Sequence, residues 1–193
     1  MRGIPAETRK RIIEAATELF YTKGIRAVGV DAIASAAGVT KRTLYFHFDG
    51  KDALIAAYLE ARNEPVLAAL VKSVTRVSGG ILAQVEGLFA AFAGQAGNAK
   101  WHGCPFARAV SELRETPDDA VSDIAAKHKR AFEDWLAAHL ASHEIEEPGL
   151  VARQLMVLLD GCITQILIHR DPSYAAAAAR AAVALVEQRL PCG

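Results

Sequence analysis

Val30–Phe48 reads VDAIASAAGVTKRTLYFHF, and the fold turns on how its apolar residues recur. Val30, Ile33, Ala34, Ala37, Val39 and Leu44 meet in one miniature core if two short helices run through 31–37 and 40–46. Gly38 stands at the turn between them. A connection that short often needs a left-handed backbone, which glycine supplies, and Ala34 is small enough to let the two helices cross closely. This spacing is that of a helix-turn-helix.

The charges on the second helix point to its use. Thr40 suits the N-cap, and Lys41 and Arg42 then occupy the first turn, at the positive end of the helix dipole. Cations there cost roughly 0.3–1 kcal/mol each instead of helping, so their presence suggests an external anion. In helix-turn-helix proteins the first residues of the second helix face base edges in the major groove. Lys41 and Arg42 are suited to donate to guanine or phosphate. Thr40 and Thr43 can bond either or touch a thymine methyl, and Tyr45 and His47 can reach phosphates. Lys51, at the start of the next helix, is a further phosphate candidate. Net charge is zero over the chain, but residues 1–51 hold nine Lys or Arg against five acids, a net +4 that leaves −4 for the remainder. A basic head on an acidic body fits one end that approaches phosphates.

Outward from this motif everything reads as helix. Ile12, Ile13, Ala16, Leu19 and Phe20 form an apolar face before a stop at Gly24. A long helix runs from Lys51 toward Val77, with Asn63, Glu64 and Pro65 as a point of kinking or breakage. The pattern restarts after Gly79 and Gly80 with Ile81, Val85, Leu88, Phe89 and Phe92. Pro105 opens a helix with Phe106, Ala109, Val110 and Leu113 on one face, and Thr116, Pro117, Asp118 and Asp119 signal the start of another. Pro148 and Pro172 introduce the last two helices, one apolar (Leu155 to Ile168) and one alanine-rich. The expected fold is all-α: an N-terminal three-helix helix-turn-helix domain over 1–50, and a helical ligand-binding and dimerisation domain over 51–193.

Composition narrows the function class. With 52% hydrophobic and 23% charged residues, the chain lies far from the composition of disordered proteins. The most apolar run is interrupted by Asp160 and Gln165 and falls short of the roughly 18–20 apolar residues a membrane span needs, and no secretory signal precedes the first charged helix. A cytoplasmic protein without membrane contact is the expectation. Cys104, Cys162 and Cys192 are too few for a disulfide framework. No phosphate-binding glycine loop, Gly-x-Ser-x-Gly or HExxH motif favours an enzyme, and no cofactor is implied. His139 and His143 have the spacing of two metal ligands on one helix face, and Cys104 or Cys162 offers a thiol, so a metal- or redox-responsive regulator is the alternative.

GVTKRTLYFHF followed by GKDALIAAYLE, within residues 9–58, resembles the DNA-binding segment of the TetR family of bacterial repressors. The resemblance covers about the first third of the chain and departs from the family at Val30 and Gly50, where Thr and Ser are frequent. It implies an all-helical homodimer joined through its last two helices, whose second domain binds a small-molecule effector and releases palindromic operator DNA. By position, Thr40, Lys41, Arg42, Thr43, Tyr45, His47 and Lys51 align with the family's DNA-contacting set. For the effector, the polar residues that interrupt apolar helix faces suggest a pocket lined by Phe106, His128, Phe132, Trp135, Asp160 and Gln165. An internal polar pair or a dimer contact is the competing reading. Likewise, the alanine-rich stretch Ala175 to Ala184, with Leu185, Val186 and the Leu155 to Ile168 helix, suits either a four-helix dimer interface or an internal core.

Overall fold

Apolar residues one helical turn apart set the first helix. In the computed structural model, which describes residues 5–113 and 120–191, α1 spans Pro5–Lys23 and buries Ile12, Ala16 and Phe20. Two short helices follow, α2 (Val30–Ala36) and α3 (Lys41–His47). Of the six residues expected to meet there, Ile33, Ala34, Ala37 and Leu44 are buried, Val30 and Val39 are only half-buried, and Val28 and Phe48 join the buried set. Gly38 has φ +63°, a conformation a side chain would strain. It lets the Val39 amide turn back to the Ala34 carbonyl at 2.9 Å.

The long helix α4 (Gly50–Thr75) contains Pro65 and continues through it. Proline removes one backbone hydrogen bond and crowds the carbonyl four residues earlier. Ala61 and Pro65 are both exposed, so the freed carbonyl is open to water and the helix need not end. Further on come α5 (Ile81–Ala93), α6 (Pro105–Leu113), α7 (Ala120–Ala141), α8 (Pro148–His169) and α9 (Ser173–Glu187). The start signal read at Thr116–Asp119 and the thiol of Cys192 lie outside the described residues. The described residues contain helices and no strand.

Two compact units divide the chain: Met1–Pro65 with Cys104–Lys127, and Val66–Gly103 with His128–Gly193. The first therefore reaches past the boundary expected at residue 50, taking in the start of α4 and all of α6. The second is built on α5, α8 and α9 in mutual contact. Its core holds Val85, Leu88 and Phe89 of α5, Phe132, Leu136 and Leu140 of α7, and Leu155, Leu159, Ile163 and Ile166 of α8. Ala175, Ala179, Ala182 and Val186 of α9 complete it, small side chains that allow close helix approach.

This core takes residues that the sequence offers equally to a dimer. Among the outward residues that remain on α8, Leu150, Val157 and Ile168 are large, apolar and exposed. On α9, Ala177, Ala181 and Ala184 are exposed. By length and composition α8 is apolar enough to cross a membrane despite Asp160 and Gln165, which corrects the expectation drawn from those two residues. Its inner face packs against α5 and α9, the arrangement of a core helix in a bundle.

Candidate nucleic-acid interface

The second helix of the motif is anchored at its first residue. Thr40 is extended (φ −80°, ψ 155°), and its hydroxyl oxygen accepts from the Thr43 amide at 3.1 Å. This is the N-cap arrangement the sequence predicts. The two threonine hydroxyls also lie 2.8 Å apart in a mutual hydrogen bond. Leu44, completely buried, then fixes the rotation of α3. Because the helix turns about 100° per residue, Lys41, Arg42, Tyr45 and Phe46 face outward, and all four are exposed.

The outward residues differ in how far they are already engaged. The Lys41 Nζ lies 3.0 Å from Asp31 Oδ1 and donates to Oδ2 at 3.1 Å. That hydrogen bond and the carboxylate charge raise the ammonium above its ordinary pKa of 10.5. Asp31 thus offsets the unfavourable first-turn position, a compensation invisible in the α3 sequence alone. Arg42 has no hydrogen bond or ion pair among the described residues and remains available to an outside anion. Tyr45 is 49% exposed and Phe46 79%. Sequence reasoning passes over Phe46, although its place beside Tyr45 and opposite Leu44 could have marked it. The half-buried His47 sets its ring edge-on to Phe46 at 5.2 Å. Half-buried Lys51 holds its Nζ 6.0 Å from the Phe20 ring centroid, at the outer range of a cation–π contact.

Part of the basic surface on α1 is structural. Arg11 Nη2 donates to the carbonyl oxygens of Ala37 at 2.7 Å and Gly38 at 3.3 Å, tying α1 to the turn of the motif. Arg9 lies over the Phe48 ring at 4.9 Å. The positive charge of the first 51 residues is therefore partly spent on holding the motif together, and among the described residues Arg42 is the α3 cation without a hydrogen bond or ion pair.

The six residues read as an effector pocket are divided between the units: Phe106 is buried in the first, and the other five lie in the second. Phe132 and Trp135 stack at 5.8 Å, and the series continues from Trp135 to His139 at 5.0 Å. His128 is buried, and burial first, with the Lys129 charge second, pushes its pKa down to about 4 against an opposing pull from Asp160. Asp160 is ion-paired with Lys129, the partner that explains a carboxylate on an apolar helix. Gln165 is exposed, so it is not the buried polar group its apolar neighbours suggest. An open groove of about 450 Å³ in the first unit is lined by Ala6, Arg9, Lys10, Ile13, Glu14 and Ala61, none of the six.

Among the described residues no group of three or more His, Cys, Asp or Glu is placed to hold a metal. The rings of His139 and His143 meet edge to face at 5.0 Å, and His139 Nε2 lies 2.7 Å from Gln84 Oε1. Cys104 is partly exposed, whereas Cys162 is buried and its thiol is pushed up by that burial.

Comparison with known proteins agrees with this geometry. Residues 12–58 match the family model described as bacterial regulatory proteins of the tetR family. The HTH-type transcriptional regulator SrpR of Pseudomonas putida is 45% identical over 60 residues, 31% of this chain and 28% of SrpR. The matched segment therefore spans little more than a quarter of that relative's length. Solved structures extend the likeness over the full chain. A TetR-family transcriptional regulator from Streptomyces coelicolor matches with a TM-score of 0.80 and 29% identity, over 96% of this chain and 97% of the other. A TetR-type regulator from Streptomyces avermitilis matches with a TM-score of 0.80 and 26% identity, over 94% and 97%. The matched segment contains the capped, outward-facing α3, and the whole helical fold resembles that of such regulators, so the chain is similar to the TetR-family transcriptional regulators.

Proposed function

We propose that the protein is a cytoplasmic, ligand-responsive transcriptional regulator, and not an enzyme, that binds a palindromic operator as a homodimer and represses until a small-molecule effector releases it. The observation that carries the DNA-binding part is α3 itself. It is capped by Thr40 and fixed by Leu44, and it turns Arg42, Tyr45 and Phe46 outward together. Arg42 would pair with guanine or phosphate, Tyr45 with phosphate, and Thr43 and Lys41 with neighbouring backbone or base edges, while His47 and Lys51 serve the flanking phosphates. Phe46 adds an apolar contact of the kind a thymine methyl or a sugar accepts.

Dimerisation is supported by the outward residues of the last two helices. Val157, Gly161, Thr164 and Ile168 recur at helical spacing on α8, and Ala177, Ala181 and Ala184 do so on α9; all seven are exposed. Two copies of such a helix pair related by a twofold axis would form a four-helix contact, and their α3 helices would then read two inverted half-sites about 34 Å apart. For the effector, the second unit offers the Phe132–Trp135 stack beside the polar residues His128 and Asp160. Selection of binding sites by the purified protein from a random duplex library tests this reading. Enrichment of one inverted-repeat sequence supports it, and a pool that stays random after repeated rounds contradicts it.

A further inference from the structure

Two side chains of α6 close on the connection that feeds the helix-turn-helix. In the first unit, Glu112 Oε2 accepts the backbone amides of Ile25 at 2.6 Å and Arg26 at 3.1 Å. Its other oxygen, Oε1, accepts from Arg108 Nε at 3.1 Å. Arg108 Nη1 in turn donates to the Tyr21 carbonyl at 2.6 Å. The last carbonyls of a helix and the amides of a tight connection lack partners of their own, and here one arginine–glutamate pair supplies both. Each bond has an ionised member, which makes it stronger than a neutral equivalent, and the guanidinium sits at the negative end of the α1 dipole.

The fit is close. Gly24 has φ +91°, and a Cβ placed there would lie 3.2 Å from Glu112 Oε2 and 3.3 Å from Arg108 Nη2. Both side chains are mostly shielded, at 29% and 21% exposure. Beyond Arg26 the chain runs through buried Val28 to Gly29, the N-cap of α2. Held at its C-terminal end by α6, α1 also grips the motif's turn through Arg11 and the Ala37 carbonyl. The placement of α2 and α3 is thus fixed from two sides.

We propose that Arg108 and Glu112 are positioning residues for DNA reading: they clasp the Tyr21–Arg26 connection so that α3 meets the groove in one orientation, which makes α6 a working part of the DNA-binding unit. This rests on the DNA-binding reading above. It adds two residues far from the motif that touch no DNA.

The test compares full-length wild type with Glu112→Ala and Arg108→Met. The probes are the duplex enriched by the wild type and a random duplex of equal length, at a temperature well below each melting midpoint. The Ile25 and Arg26 amides should exchange hydrogen faster in Glu112→Ala. In both variants the preference for the selected duplex should fall about tenfold or more, the scale of a lost charge-assisted bond. The salt dependence of binding should stay unchanged, because the phosphate contacts remain. A merely structural cap would lower the melting midpoint and leave that preference intact, which would overturn the proposal. Unchanged exchange at Ile25 and Arg26 would overturn it too. If Glu112→Ala does not fold, Arg108→Met makes the same comparison. A wild type with no preference refutes the DNA-binding reading, whereas a selective wild type matched by its variants refutes the clasp alone.

Discussion

Asp31 and Lys41 form an ion pair that engages a cation the proposed function assigns to DNA. Their contact is exposed, so it contributes little to stability, yet it holds one of the two first-turn cations of α3 against its own protein. Asp31→Asn should therefore leave the melting midpoint nearly unchanged and free Lys41 for phosphate. Binding to random duplex should tighten a few-fold, and the log–log salt slope should steepen by about one counterion. An unchanged slope would mean that Lys41 does not face the backbone. His128 gives a prediction of the opposite character. Its pKa falls from 6.5 to about 4 on folding, so the unfolded chain takes up the proton first. Its contribution to stability is complete above about pH 6.5, declines as pH drops toward 4, and changes no further below that. The loss approaches roughly 3 kcal/mol. His128→Gln should flatten this acid decline when denaturant midpoints are followed from pH 7 to 4, and equal declines would refute the assignment. Such partnerships are not legible in the sequence. Lys41 and Asp31, Lys129 and Asp160, Arg11 and the Ala37 carbonyl are joined by folding, and no local spacing announces them.

Helices, by contrast, were legible nearly throughout, because each carries an apolar stripe at the helical period and most begin or end near a glycine or proline. Thr40 as the cap of α3 and Gly38 at its turn were readable for the same reason: their chemistry is local. What periodicity cannot do is assign an apolar face to a partner. On α8 two apolar faces exist. Leu155, Leu159, Ile163 and Ile166 line the core, while Val157 and Ile168 point outward. Pro65 misleads in a related way, since its cost depends on whether water can reach the freed carbonyl. The outward face of α8 carries a prediction for assembly. In a twofold contact each substitution appears twice, and an unpaired carboxylate buried there costs several kcal/mol. Val157→Glu, exposed in the single chain, should keep the melting behaviour of the monomer fold and shift sedimentation from dimer to monomer. A dimer that survives the change would place the contact elsewhere.

Taken together, the chain joins a unit that carries the helix-turn-helix to an apolar helical one, and the structural likeness to known regulators extends over both. The first unit was only partly readable: the motif is contiguous, but α6 enters the same unit from more than 50 residues beyond its end. The surroundings of the polar residues in the suggested pocket were less legible. Burial and ion pairing depend on the complete fold, and they turned Asp160 into a paired group and Gln165 into a surface residue. In the proposed function α3 reads DNA through its outward side chains. The most direct measurement is a binding titration over a range of salt concentrations, with selected and random duplexes, for wild type, Arg42→Ala and Tyr45→Ala. The wild type should prefer the selected duplex by about 10³ or more. Arg42→Ala should lose roughly 1–3 kcal/mol on that duplex, and Tyr45→Ala should weaken both duplexes alike. Equal affinity of the wild type for the two duplexes, or variants indistinguishable from it, would mean that α3 does not read DNA.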